Sequence, residues 1–331
     1  MNTTKRITIK DVAAKAGVSV ATISLVMRDM GSFPEETRQH VKRVAAEMGY
    51  TANRRAASFR TGKSKTIGFV IPDARNEGWV TQWSSMLSQT LLRVVVAASK
   101  HGYAIVALPS NSPEMMESFG LDAIILNDSQ VNDPDIDHAY RLGIPIVTYD
   151  RPSDLRLTVH LDTGYAPMTL AALDALKESG AQKIGLLTEP GGMASNTLQV
   201  DTYLSWCKKN RYEPVVVRGN HDRTDVEKKV SELLDEGCDA FFSFYGEGPL
   251  LLEILHKKKV AVPAQVQFIA AQPYDGKENR ALKISTTVYH PEEMIDGPMD
   301  LLVDAIEGKI ETPATFLSPW ELELHPGTIR S

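Results

Sequence analysis

The sequence predicts an α/β protein in two unequal parts: a small all-α head and, after a short linker, a larger core of two doubly wound lobes. Three observations carry this. Apolar residues recur at helical spacing up to Tyr50, then from Thr66 onward form short strand-like runs that alternate with longer helical stretches. The net charge of −6 is unevenly spread: residues 1–65 hold 13 Lys/Arg against 5 Asp/Glu, net +8, and the other 266 hold 23 against 37, net −14. The alternating part is too long for one compact sheet, so two lobes are expected, with a ligand cleft between them.

The head is read first. Thr8 suits the N-cap of a helix over 9–16, whose Ile9, Val12, Ala13 and Ala16 share a face, and Gly17 ends it. Ser19 suits the N-cap of a second helix of about ten residues through Val26 and Met27. This is the punctuation of a helix-turn-helix. Pro34, Glu35 and Glu36 open a third helix that runs through Val41, Val44, Ala45 and Met48 to Gly49. Val12, Ala16, Val18, Thr22, Ile23 and Val26 are the expected head core. Residues 53–59 are basic and marginally helical, too poor in apolar side chains to be stable alone. Thr61-Gly62-Lys63-Ser64-Lys65 reads as a linker. The expected division is a head over 1–50, a hinge helix and linker over 51–65, and a two-lobed domain over 66–331, with the chain crossing between lobes near 163, 288 and 319.

In the core, strands are expected at 66–71, 104–108, 123–126, 146–149, 183–187, 214–217, 240–244, 267–271 and 285–288. Helical stretches between them include 79–101, 165–178, 198–210, 225–236, 249–258 and 292–307. Strand–helix alternation of this kind means parallel sheets with helices on both faces.

Composition removes several classes of function. The chain has 43 % hydrophobic and 24 % charged residues, the balance of a soluble globular protein. Its two cysteines, Cys207 and Cys238, make neither a disulfide framework nor a four-cysteine zinc site, and they point to a reducing, cytoplasmic setting. The N-terminus is polar and the most apolar run, 91–98, is short and broken by Arg93, so neither export nor a membrane span is expected. The eight histidines are scattered without metal spacing, and no phosphate-binding loop or nucleophile elbow occurs. No cofactor, metal or catalytic group is expected. Gly191-Gly192 reads as a plain turn, or as a backbone that approaches an anionic ligand.

The run Asp11-Val12-Ala13-Ala14-Lys15-Ala16-Gly17-Val18-Ser19-Val20-Ala21-Thr22-Ile23-Ser24 closely resembles the head of the LacI/GalR family of bacterial transcription regulators. Thr37-Arg38, Gly49-Tyr50, Asn53-Arg54 and Ile67-Gly68 fall at the family's spacing. The resemblance continues, more loosely, to Ile144-Pro145-Ile146-Val147 and Ser285-Thr286-Thr287-Val288. It implies a DNA-binding head, a hinge helix and a core like the periplasmic sugar-binding proteins (periplasmic binding protein-like I), working as a dimer.

The residues agree chemically. A helix that begins with small side chains sinks into the major groove, so Ser19, Val20, Ala21, Ser24 and Leu25 are the expected base-reading residues, joined by Ile9, Lys10 and Thr37. Leu25 departs from the Arg that many relatives carry, and makes no bidentate contact to guanine. Arg28, one turn on, reaches a base or a phosphate, or stays a solvated surface residue. Asn53, Arg54, Ala56 and Ala57 line the expected hinge helix, which orders only on DNA beside a second copy. Phe59 stands where relatives carry a Leu wedge. It either kinks the minor groove, at a bending cost of about 1–6 kcal/mol, or packs on the core. Lys5, Arg6, Lys10, Arg38, Arg55, Arg60, Lys63 and Lys65 are expected at phosphates.

For the effector, the resemblance implies polar clamps after three strands of the second lobe. Here those places carry Gln199, Tyr245 with Gly246, and Gln272, so the charged clamps for sugar hydroxyls are gone and a neutral or aromatic effector is expected. Asp73, Asn76, Trp79 and Asp162 complete the expected cleft set, with Trp83, Asp150, Arg151, Ser195, Glu247 and Tyr274 near it. Trp79 or Trp83 stacks on a ring, or both simply pack at i, i+4. Arg93 reads as an interface or salt-bridge residue. The expected function is a repressor that binds a near-palindromic double-stranded DNA operator as a homodimer, with affinity modulated by a small molecule. A second reading is a small-molecule binding protein with a vestigial head. A third, an enzyme on the two-lobed core, rests on fold possibility alone.

Overall fold

The computed structural model describes residues 7–27, 30–50, 63–71, 77–127, 129–149, 154–244, 247–273, 277–290 and 292–330, with side chains described outside 77–86, 149, 272, 273 and 289. The chain separates into two compact units, Met1–Ser64 and Lys65–Ser331. The expected hinge helix lies outside the described residues, as do Lys5, Arg6 and Arg28.

In the first unit α1 is Ile9–Ala16, α2 Val20–Val26 and α3 Glu35–Glu47. Local chemistry sets each boundary. Thr8 and Asp11 form a reciprocal capping box, Thr8 Oγ1 accepting from Asp11 N and Asp11 Oδ2 accepting from Thr8 N at 2.8 Å. Gly17 closes α1 at φ +68°, a left-handed conformation that costs glycine little. Ser19 caps α2, its Oγ accepting from Thr22 N at 3.0 Å. The second helix has seven residues rather than about ten, because the chain turns at Met27. Val12, Ala13, Ala16, Ile23, Val26, Val41, Val44 and Ala45 form the buried core, with Val18 packed against it. Thr22 does not belong to that core. It is half-buried, and its hydroxyl lies 2.9 Å from Ser19 Oγ, a better place for a polar atom than an apolar centre.

The second unit begins with a six-stranded sheet, all pairings parallel. Its strands are β1 Thr66–Ile71, β2 Ala104–Pro109, β3 Ala123–Leu126, β4 Ile146–Tyr149, β5 Val159–Asp162 and β12 Ala314–Leu317, in the order β12-β5-β4-β3-β1-β2. One face packs on α4 Glu77–Lys100 and α12 Glu293–Ile306, through Phe69, Ile125, Val147, Met299 and Leu302. The other packs on α5 Pro113–Phe119 and α6 Pro134–Arg141, through Leu108, Leu126 and Ile136.

The second lobe has β6 Ile184–Thr188, β7 Val215–Arg218, β8 Ala240–Ser243 and β9 Gln267–Ala270, ordered β7-β6-β8-β9 and parallel throughout. On one face lie α7 Tyr165–Glu178 and α8 Ala194–Asn210. On the other lie α9 Arg223–Asp235 and α10 Gly248–Lys257. A three-stranded sheet of β10 Gln272–Pro273, β11 Thr286–Tyr289 and β13 Trp320–Glu323, with the short α11 Lys277–Ala281, extends this lobe. The chain passes between lobes after β5, after β11 and after β12. Both sheets are doubly wound, and strand order reverses between β1 and β3 in one lobe and between β6 and β8 in the other. Doubly wound sheets bind ligands at the carboxyl ends of the strands flanking such a reversal.

Candidate functional site

Two surfaces have the chemistry of a site. The first is the outer face of α2. Ser19, Val20 and Ala21 are exposed, Val20 at 41 %, while Ser24 and Leu25 are half-exposed. Ile23 and Val26 on the opposite face are fully buried, so burial fixes the side of the helix that a groove would meet. Lys10 is exposed at the start of α1 and Thr37 is half-buried on α3.

Three of the residues expected at DNA have partners within the protein. Ile9 packs against the head core, leaving Lys10 as the open residue of that turn. Arg38 donates from Nη2 to the carbonyl of Gly31 at 2.7 Å and so ties down the loop between α2 and α3. Lys65 opens the second unit, with Nζ 3.4 Å from Glu307 Oε1 and 4.2 Å above the Tyr103 ring. Asn53, Arg54, Arg55, Ala56, Ala57, Phe59 and Arg60 lie outside the described residues.

The second surface is the carboxyl edge of β6 and β8. Thr188 Oγ1 lies 3.2 Å from both Asn196 Oδ1 and Gln199 Oε1, one of which takes its proton. Asn196 Nδ2 donates to Glu189 Oε2 at 3.1 Å. His221 sits between two carboxylates, Nε2 at 2.8 Å from Glu189 Oε1 and Nδ1 at 2.8 Å from Glu247 Oε1. Lys229 Nζ donates to the same Glu247 oxygen at 2.8 Å, and Ser243 Oγ donates to Oε2 at 3.0 Å.

The charges of this cluster balance only with His221 as imidazolium, both nitrogens donating. Burial alone pushes its pKa down, but the two glutamates outweigh burial and the net shift is upward. Burial likewise favours a protonated Glu247, yet His221 and Lys229 together hold its carboxyl below the usual range. Sequence reasoning missed this cluster. The available signal was Lys229 on the apolar stripe of α9, between Val226 and Val230, where an unpaired lysine has no place.

The expected cleft residues distribute unevenly. Gln199 is fully buried against Thr188 and Ser195 is buried. Glu247 serves the charge cluster. Asp162 is half-buried at the end of β5, Oδ1 accepting from Gly164 N at 2.9 Å. Gln272 lies in β10, and Trp79 and Trp83 lie on α4, without described side chains. Asp73, Asn76, Asp150, Arg151, Tyr245, Gly246 and Tyr274 fall outside the described residues. Arg93 forms a salt bridge with Glu292 at 2.7 Å. Cys207 and Cys238 are both buried free thiols, and burial pushes that of Cys238 up to about 12. No group of three or more metal-ligating side chains occurs among the described residues, and no described helix is long and apolar enough to cross a membrane.

A capped helix-turn-helix head with an open reading face, together with a doubly wound two-lobed core, defines a DNA-binding transcription regulator with a sensor body. Residues 8–53 match the model for bacterial regulatory proteins of the lacI family, and residues 173–327 match that of the periplasmic binding protein-like domain. The chain is 26 % identical to the HTH-type transcriptional regulator CelR of Thermobifida fusca, over 98 % of each chain. It is 31 % identical to the ribose operon repressor of Bacillus subtilis over 55 % of each. A solved lac repressor dimer, bound to operator and the anti-inducer ONPF, shares the fold with a TM-score of 0.80 at 19 % identity, covering 98 % of this chain and all of that one. The head is thus a lacI-family regulatory domain, and the core carries a periplasmic binding protein-like domain.

Proposed function

We propose that the protein represses transcription by binding a near-palindromic operator as a homodimer, with an affinity set by a small molecule held between the lobes. It acts in the cytoplasm, on the nucleoid. The observation that carries this reading is the open first turn of α2 on a head whose core is complete. A vestigial head has no reason to keep Val12, Ile23, Val26 and Val41 fully buried together with two capped helices.

The second copy docks on α4. Leu92, Val95 and Val96 are 64 %, 41 % and 50 % exposed along one face, beside a groove of about 440 Å³ lined by Gln89, Arg93 and Glu292 among others. An apolar stripe of this kind, rimmed by charge, marks an interface. The solved lac repressor on operator DNA is itself a dimer.

For the effector, CelR has been solved as a cellobiose complex, and a further solved LacI-type regulator is complexed with D-xylulofuranose. In this chain the carboxylates at the second lobe's strand ends are committed to His221 and Lys229, which favours a neutral ligand over a charged one. Selection of fragments from a random DNA pool by the full chain tests the reading. Enrichment of a two-fold symmetric site supports it, and recovery of unenriched DNA overturns it.

A further inference from the structure

The loops that leave β3 and β6, the strands flanking the two strand-order reversals, meet across the lobes. Ala194 N donates to the carbonyl of Ser129 at 2.8 Å, and Val131 N donates to the carbonyl of Gly192 at 3.2 Å. Between these bonds Gln130 and Met193 form an antiparallel bridge. Main chain is thus joined to main chain by a piece of ladder whose halves are about sixty residues apart in sequence and follow strands of different sheets.

Both halves are anchored. On the first lobe, Asp133 Oδ2 accepts from Gln130 N at 2.9 Å, and Oδ1 accepts from Asp135 N at 2.9 Å at the start of α6. Asp135 in turn accepts from Asn111 N at 2.9 Å. On the second lobe, Glu189 is held by His221 and by Asn196 in the first turn of α8. The link between Glu189 and α8 turns through Gly191 and Gly192, at φ +94° and +106°, where a side chain would be strained. The charge cluster therefore sets the position of this loop.

We propose that this strap is the latch of the effector cleft: lobes that rotate about the three chain crossings part only when both main-chain bonds break. The inference rests on the reading that the cleft takes the effector. It assigns to residues 129–131 and 192–194 the balance between the open and closed states. A ligand that favours one state shifts that balance by its differential affinity alone.

The first test needs neither effector nor DNA, so its outcome is separate from that of operator binding. Ala194 is the first residue of α8, where a backbone N–H has no partner inside the helix and proline is well accommodated. Met193 before it is extended, at φ −79° and ψ 149°, as a residue preceding proline must be. Ala194→Pro therefore removes the strap's donor and leaves the helix whole. Hydrogen exchange of the full chain is expected to show a protected Val131 amide in the parent. Exchange in peptides covering 129–132 should be about tenfold faster in the variant, the loss of one net hydrogen bond, with β6 and β8 unchanged. An unprotected Val131 amide in the parent, or the same rate in both proteins, overturns the latch.

A second variant covers the case in which the proline disturbs the lobe. The pair 130/193 is of the non-hydrogen-bonded kind, with Cα atoms about 4.5 Å apart, within disulfide range. Gln130→Cys with Met193→Cys should oxidise readily without ligand, as the native thiols are buried. Its oxidised and reduced forms should differ at least about fivefold in affinity for a pool-selected operator fragment. Failure to cross-link, or equal affinities, contradicts the latch, whereas reduced protein that prefers no DNA contradicts the operator reading instead.

Discussion

Replacing Glu247 by alanine tests how the second lobe holds its strand-end loop. The carboxylate takes Lys229 and His221 on one oxygen, each at 2.8 Å, and Ser243 on the other at 3.0 Å. Lys229 is 2 % exposed, so its charge has no route to water once its partner is gone. Breaking a buried pair by removing one member costs about 3–5 kcal/mol, a large share of the ~5–15 kcal/mol that holds a typical domain together. All four tryptophans lie beyond residue 65, so tryptophan fluorescence in urea reports the core alone. The expected result for Glu247→Ala is a loss in that range. Glu247→Leu with Lys229→Met removes both buried charges and should cost less than the single change. A single-variant loss below about 1 kcal/mol, or a double variant worse than the single, refutes the reasoning.

Ser19→Ala removes the N-cap of α2, worth about 1 kcal/mol, and should weaken operator binding about fivefold in an anisotropy titration while random DNA is affected less. The raised pKa of His221 makes a pH-dependent contribution to the core. It is complete below the unfolded value of about 6.5 and is lost as pH rises through the higher folded-state value, so His221→Gln should flatten the fall in unfolding free energy that sets in above about pH 6.5. Val96→Asp, on the exposed face of α4, should yield monomers in sedimentation with core stability unchanged to within about 0.5 kcal/mol.

The head was legible because its signals are local. Thr8, Gly17 and Ser19 each act within three residues of themselves, and their chemistry alone marks where the helices start and stop. The central strands were legible because burial on both faces leaves an apolar run, as in Thr66–Ile71 and Ala123–Leu126. Val159–Asp162, Ala314–Leu317 and Trp320–Glu323 carry no such run. They are short, and their pairing partners lie far away in sequence: β12 joins β5 across about 155 residues. The site divides the same way. The reading face of α2 follows from helical periodicity, whereas the Glu189–His221–Glu247–Lys229 cluster joins four separate segments and the strap is made of main chain, which no side-chain pattern announces.

The claim at the centre is that the basic head reads duplex sequence. Anisotropy titrations of the full chain against a pool-selected palindrome and against random duplex, across a range of salt concentrations, measure it directly. Affinity for both should fall steeply and linearly on a log–log plot as phosphate contacts release counterions, with the palindrome favoured at least about a thousandfold throughout. Equal affinity for the two duplexes, or an affinity indifferent to salt, would contradict the account.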